Sequence, residues 1–179
     1  MTGAGRVISF DPVMWKLRDG RQVTVRAVRP DDRDRLQAAV RGLSDESRYL
    51  RFMSFVRELS PALLDQATSP EPGRELQLVA VTGGSGEIVA GARYSAAEGS
   101  RTCEFAVAVS DEWHRLGLAR RLLEALMLSA RLRGFDGMEG YILASNTRML
   151  ALARRLGFKE IRSPEGPTVR LLRRDLRRD

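Results

Sequence analysis

The sequence predicts a mixed α/β (α+β) domain, and three observations lead there. Helical patterning dominates the first third of the chain, a three-strand antiparallel meander fills the middle, and strand and helix patterns take turns in the last third. Residues Gln22 to Val28 set Val23, Val25 and Ala27 against Gln22, Thr24 and Arg26, the alternation of a half-buried strand. Pro30-Asp31-Asp32 breaks that strand, and either aspartate caps a helix with Leu36, Ala39, Val40 and Leu43 on one face. Ser44-Asp45-Glu46-Ser47 starts a second helix leading into Tyr49, Leu50 and Phe52, and Pro61 opens a third. Beyond the Pro/Gly-rich stretch Ser69 to Gly73, strands Leu76–Val81 and Ile88–Tyr94 flank a turn at Gly83 to Gly86. Thr102–Val109 is a third strand, nearly all apolar and therefore central. A helix from about Leu118 to Arg133 carries Ala119, Leu122, Leu123, Leu126 and Ala130 on one stripe and stops at Gly134. Met138–Leu143 is a strand, Thr147–Leu156 a helix ended by Gly157, and Thr168–Leu172 the last strand. Residues 20–179 read as one domain behind an N-terminal extension, residues 1–19.

Composition narrows the function classes. The chain has 179 residues, 43% of them apolar, enough to build one core without staples. A single cysteine, Cys103, excludes an intramolecular disulfide framework and a Cys-rich zinc site. A single histidine, His114, excludes a two-histidine metal motif, so no metal is expected. No apolar run reaches the roughly 20 residues of a membrane span. No apolar core of a signal peptide follows Met1 to Arg6, and a cytoplasmic setting is expected. The 30 Lys+Arg exceed the 23 Asp+Glu by 7, but only Lys16 and Lys159 are lysines, and the arginines are spread along the chain. With aromatics at 6%, this spread argues against a nucleic-acid-binding stripe and leaves attraction of smaller anions such as phosphates. The densest cluster, Arg170, Arg173, Arg174, Arg177 and Arg178, reads as a solvated terminal strand or frayed end.

The stretch from Val107 to Leu123 carries the most chemistry. A buried strand ends, a short turn follows, and Gly117 and Ala119 sit at the opening of a strongly amphipathic helix. Such a helix start presents unsatisfied backbone N–H groups and a positive dipole end, a ready anion site. Gly117 has no Cβ, so a diphosphate can approach the main chain closely, and Arg115, Arg120 and Arg121 add fixed positive charge. On these grounds alone an ordinary strand-to-helix turn with a permissive glycine is slightly favoured.

That stretch resembles the acyl-CoA pyrophosphate loop of the GNAT superfamily of N-acetyltransferases, Gln/Arg-x-x-Gly-x-Gly/Ala. It stands here as His114-Arg115-Leu116-Gly117-Leu118-Ala119. Ala144 to Phe158 resembles the second superfamily motif, Asn146 followed eleven residues later by Gly157-Phe158. Arg26 to Asp32 resembles the first-strand opening, and Leu43 to Phe52 is similar to bacterial protein-lysine acetyltransferases of the Pat type. The resemblance implies a single GNAT-like domain using acetyl-CoA or another acyl-CoA, with a protein lysine or a small amine as acceptor, working as a monomer or homodimer. It implies that Val107, Ala108 and Val109 lie on a splayed strand whose free backbone groups meet the pantetheine amides. His114, Arg115, Leu116, Gly117, Leu118, Ala119 and Arg120 would hold the pyrophosphate, His114 through its backbone N–H. Asn146 would contact the cofactor arm, although Ser145-Asn146 also suits a helix N-cap, and the two roles are compatible.

The acceptor amine arrives as an ammonium, so a base must remove its proton. Glu104 stands in the apolar strand on the face opposite Phe105, Val107 and Val109, where burial would raise its pKa. The resemblance puts the general base of Pat-type enzymes at this position; an ion pair with Arg93 or Arg101 is the competing reading. Two departures stand out. Many members carry a tyrosine acid seven residues after the motif asparagine, where this chain has Ala153, and some carry a glutamate base where it has Tyr141. Cys103 faces away from Glu104, and no third group orients a Cys103–His114 pair, so direct transfer is expected over an acyl-enzyme. A non-catalytic acyl-CoA-sensing module is the alternative from another class. The acceptor surface is expected from Ser44 to Phe55 and Ser69 to Gly73.

Overall fold

The computed structural model describes residues 9–177. Strands β1 (Val13–Lys16) and β2 (Gln22–Ala27) form a hairpin, followed by helices α1 (Arg33–Gly42), α2 (Asp45–Phe52) and α3 (Pro61–Thr68). The meander β3 (Glu75–Thr82), β4 (Ile88–Ser95) and β5 (Thr102–Val109) leads into α4 (Leu118–Leu132). Then come β6 (Gly137–Leu143), α5 (Thr147–Arg155), β7 (Lys159–Ile161) and β8 (Val169–Asp175). The eight strands make one mixed sheet in the order β1-β2-β3-β4-β5-β6-β8-β7.

Strand alternation divides the core into two layers. Leu76, Leu78 and Ala80 of β3, Ala92 and Tyr94 of β4 and Phe105 of β5 face α4 and α5, meeting Leu122, Leu123, Leu126 and Leu150. The opposite face turns Val79 and Val81 toward α1 and α3, which supply Leu36, Val40 and Leu64. Each of these side chains is buried, and each Leu, Val and Phe among them stabilises the fold by roughly 1.5–3 kcal/mol of removed apolar surface.

One junction in the sheet is open. β5 pairs with β6 in parallel only over Thr102–Glu104, against Gly137–Glu139, while β4 pairs with β5 over Ala90–Ser95, against Glu104–Val109. Beyond Glu104 the two strands part, and β6 continues against β8. Phe105 fills the crotch of this fork. Its ring lies over Gly140, where an added Cβ would sit 2.6 Å from the ring Cζ, and it meets Phe158 edge-on at 5.2 Å.

Two edges differ from the sequence reading. β1 lies within residues 1–19, the stretch read as an extension, and it pairs with β2 from Val13↔Val25 to Lys16↔Gln22. The arginine-rich end is corrected: β8 pairs with β6 over its whole length and with β7 over Leu171–Arg173, with Leu171 and Leu172 buried, so it is an internal strand. Arg178, like residues 1–8, lies outside the described residues. The two lysines, Lys16 and Lys159, are exposed on β1 and β7, the outermost strands.

Arg26-to-Asp32 closes on itself as a buried ion pair. Arg26 donates to both Asp32 oxygens at 2.7 and 2.8 Å, Arg29 N–H adds a third bond at 2.8 Å, and Asp32 is 0% exposed. The Arg26 hydrogen bonds hold the Asp32 carboxyl below its ordinary 3.8. A lowered folded pKa contributes stability that is complete above the unfolded value and lost as pH falls through the folded one. Asp32→Asn is therefore expected to lower unfolding stability by about 2 kcal/mol at neutral pH and to flatten the acid limb below about pH 4. Urea titrations at several pH values check both.

Candidate active site

The fork opens backbone groups along β5. Ser110 N–H donates to Val89 at 2.9 Å, which with the β4–β5 register makes Gly91 and Ala108 a hydrogen-bonded pair. Val107 and Val109 therefore turn their N–H and C=O groups into the fork, whereas those of Ala108 are taken up by β4. The Val109 carbonyl already accepts the His114 ring Nε2–H at 2.9 Å. The Val107 amide and carbonyl and the Val109 N–H remain directed at the gap.

At the mouth of the fork the chain makes a short 3-10 turn and enters α4. Arg115 (φ 64°) and Gly117 (φ 84°) both adopt left-handed backbone, at a cost of about 1 kcal/mol for the arginine. His114 N–H is taken by Asp111 O at 3.2 Å, so it is not among the open donors. From Arg115 to Arg120, by contrast, the backbone N–H groups have no acceptor among the described residues. α2, α3 and α5 are capped by Ser44, Ser60 and Asn146, while α4 has only Gly117 at that position. The result is a concave run of donors at a positive helix end, the arrangement that binds anions.

The β1–β2 hairpin closes over this loop. The Arg18 guanidinium Nε is 3.7 Å from where a Gly117 Cβ would lie. Arg21 stacks 4.0 Å over Trp113 and donates to Glu112 O at 3.0 Å. Arg121 stacks 4.3 Å over Trp15 and donates to Lys16 O at 3.1 Å. Arg18 is the charged residue at the loop that the sequence reading missed. Its signal was Asp19-Gly20, a hairpin pair preceded by alternating Val13, Trp15 and Leu17.

Asn146 caps α5, its Oδ1 accepting Met149 N–H at 3.2 Å. Its amide NH₂ has no acceptor among the described residues. Ala153 is 0% exposed among Leu150, Leu156 and Phe158, so a proton donor has no open position there. Ala153→Tyr is expected to overpack the layer and destabilise by roughly 1–3 kcal/mol, read as a lower melting temperature.

Glu104 lies on the α1–α3 face, open to solvent at the point where β5 and β6 part. Partial burial and the neighbouring Glu139 charge raise its pKa above the ordinary 4.5, against the opposing pull of Arg93 and Arg51. Neither expected arginine pairs with it: Arg93 reaches Glu75 at 3.4 Å, and Arg101 binds Asp136 at 2.9 Å. Glu139 is held by Arg173 at 2.7 Å, which leaves Glu104, of these two carboxylates, without an ion pair among the described residues. Tyr141, two residues along β6 on the same face, has its phenol pKa raised by burial and by Glu139 and Glu104, so it stays protonated. Burial pushes the Cys103 thiol up to about 12, so it holds its proton and is no nucleophile.

The family follows from comparison with known proteins. Residues 42–158 match the model of the Acetyltransferase (GNAT) family. Acetyltransferase PA5475 of Pseudomonas aeruginosa is 36% identical over 93% of this chain and 91% of its own length. Acetyltransferase Pat of Mycolicibacterium smegmatis is 29% identical over 87% of this chain, which spans 46% of that protein. Among solved structures, the GNAT domain of S. lividans PAT superposes with a TM-score of 0.85 at 30% identity, covering 92% of this chain and 96% of that one. The chain belongs to the GNAT family and is an acyl-CoA-dependent N-acetyltransferase. A Salmonella typhimurium protein solved with its cofactor acetyl-CoA shares the fold, with a TM-score of 0.68 at 18% identity over 86% of this chain and 94% of that one.

Proposed function

We propose that this chain transfers an acetyl group from acetyl-CoA to a protein lysine by direct attack, with Glu104 as general base. The observation that carries the reading is the fork between β5 and β6, open beside the donor run Arg115–Arg120 and with Glu104 at its apex. Acetyl-CoA supplies an activated thioester. In this reading Val107 and Val109 hold the amide-bearing arm through the open backbone groups of β5. The loop from Arg115 to Arg120, with Arg18 above it, holds the pyrophosphate. Asn146 donates its free NH₂ to the arm.

Glu104 takes the proton from the incoming ammonium, directly or through one water, and its raised pKa makes it a stronger base. Tyr141 keeps its proton and stands on the same face, where a phenol can hand it to the departing sulfur. A thiolate whose reference pKa is about 8.5 also leaves without help, which makes the absent tyrosine at 153 tolerable. Protein lysine as the acceptor is supported by the resemblance of Leu43 to Phe52 to Pat-type protein-lysine acetyltransferases, alongside the 30% identity to the GNAT domain of S. lividans PAT. The test is thiol release from acetyl-CoA with lysine peptides and small amines, read with mass spectrometry of the acceptor. Release above the uncatalysed rate with lysine peptides is expected; none with any amine would sink the reading.

A further inference from the structure

On the Glu104 face, α1, α2 and α3 enclose a cleft of about 280 Å³ against β4 and β5. Its walls are apolar, with Leu36, Val40, Phe52 and Ile88 among them, yet two guanidiniums line it: Arg51 from α2 and Arg93 from β4. Arg93 has one distant carboxylate partner, Glu75 at 3.4 Å. Arg51 has no ion pair and no hydrogen bond within the described residues; its one contact of note is the Phe52 ring at 4.8 Å. Desolvation and the neighbouring Arg93 charge bring Arg51 down to about 10, with Glu104 pulling the other way. A cation in an apolar wall without a partner is costly, and an anion brought by a ligand removes that cost.

The cleft adjoins the base. Arg93 stands opposite Ala106, and Glu104 opposite Ser95, so Arg93 and Glu104 are diagonal neighbours on one face of the β4–β5 ladder. An anion held between Arg51 and Arg93 therefore lies one residue's reach from an amine held at Glu104. The end of α2 that supplies Arg51 and Phe52 speaks for a polypeptide as the carrier of both groups. Phe55, 94% exposed, stacks on the half-exposed Tyr49 at 5.0 Å, an apolar step beside α2 of the kind that anchors protein partners. The net charge of +7 also draws an acidic partner surface.

We propose that Arg51 and Arg93 form an anion subsite that selects acceptor lysines flanked by an aspartate or glutamate. This deepens the lysine-acceptor reading and rests on it. The test compares two peptides that differ only in Glu or Gln beside the single lysine, with wild type, Arg51→Gln and Arg93→Gln, each checked for folding by circular dichroism. Wild type is expected to favour the acidic peptide in kcat/KM on the order of tenfold, the scale of one charge-assisted hydrogen bond. In either variant the ratio of the two peptides should fall toward one. Equal use of both peptides by wild type, or a ratio that survives both substitutions, overturns the subsite while leaving lysine acetylation standing. If neither peptide is acetylated while a small amine is, the lysine-acceptor reading has failed, and the subsite proposal falls with it. Arg51→Lys serves as a conservative variant, since a point charge without the forked geometry should retain part of the preference.

Discussion

Glu104→Gln is expected to lower kcat on the order of 10²-fold or more, the usual scale of general-base catalysis, while the affinity for acetyl-CoA stays near wild type. The amide keeps the shape of the side chain and its place at the head of the fork, so only proton acceptance is removed. A pH profile sharpens the test. The base works deprotonated, so wild-type kcat should rise with pH through the raised Glu104 pKa, with its midpoint above 4.5. That limb should vanish in the variant. A variant that turns over near the wild-type rate at neutral pH would move the base elsewhere, with solvent or a Tyr141-bound water next in line. Arg51 and Arg93 oppose the upward shift, so removing either should carry the midpoint upward, a direction that calorimetric or kinetic titration can read.

Gly117→Asp should have the second large effect, on cofactor binding. Gly117 sits at φ 84°, which a side chain tolerates poorly, and Arg18 occupies the space above it. An aspartate there adds strain, a carboxylate where a diphosphate should lie, and an internal partner for Arg18. Each charge-assisted hydrogen bond to an anion is worth about 1.5–3 kcal/mol, so losing two weakens binding by on the order of 10²- to 10⁴-fold. Calorimetry with CoA reads the loss, and circular dichroism guards against unfolding. Arg18→Ala makes a milder companion, since it removes one charge and leaves the backbone donors in place. Unchanged affinity in a folded Gly117→Asp protein would mean that the donor run from Arg115 to Arg120 faces no cofactor.

What the sequence revealed depended on how local each signal was. The Val23/Val25 alternation, the stripe from Leu122 to Ala130 and the glycine stops at 134 and 157 are decided within a few residues, and those elements stand where expected. β7 escaped notice because Lys159–Ile161 is three exposed residues whose identity as a strand comes only from β8 beside it. β8 was read as a terminal strand because insertion between β6 and β7 is a long-range event. For the candidate site, the motif marked the loop but not which of its groups are spent. His114 N–H and the Ala108 backbone are committed within the protein, through a turn and a strand register that no short motif encodes. Glu104 was legible as an isolated carboxylate in an apolar strand. Its freedom from Arg93 and Arg101 was not, because that depends on Glu75 and Asp136 reaching those arginines first.

The positions of Lys16 and Lys159 bear on how such a protein endures its own chemistry. A lysine amine is the same nucleophile as the acceptor, and an activated thioester can acylate it wherever the two meet. A guanidinium stays protonated at neutral pH and offers no free amine. By building its positive field from arginine, the molecule attracts phosphate-bearing ligands with charge that acylation cannot erase. The two exceptions are stationed at opposite ends of the sheet, one on β1 and one on β7, with the fork between them. A positive field built this way is insulated from acylation and persists through repeated turnover.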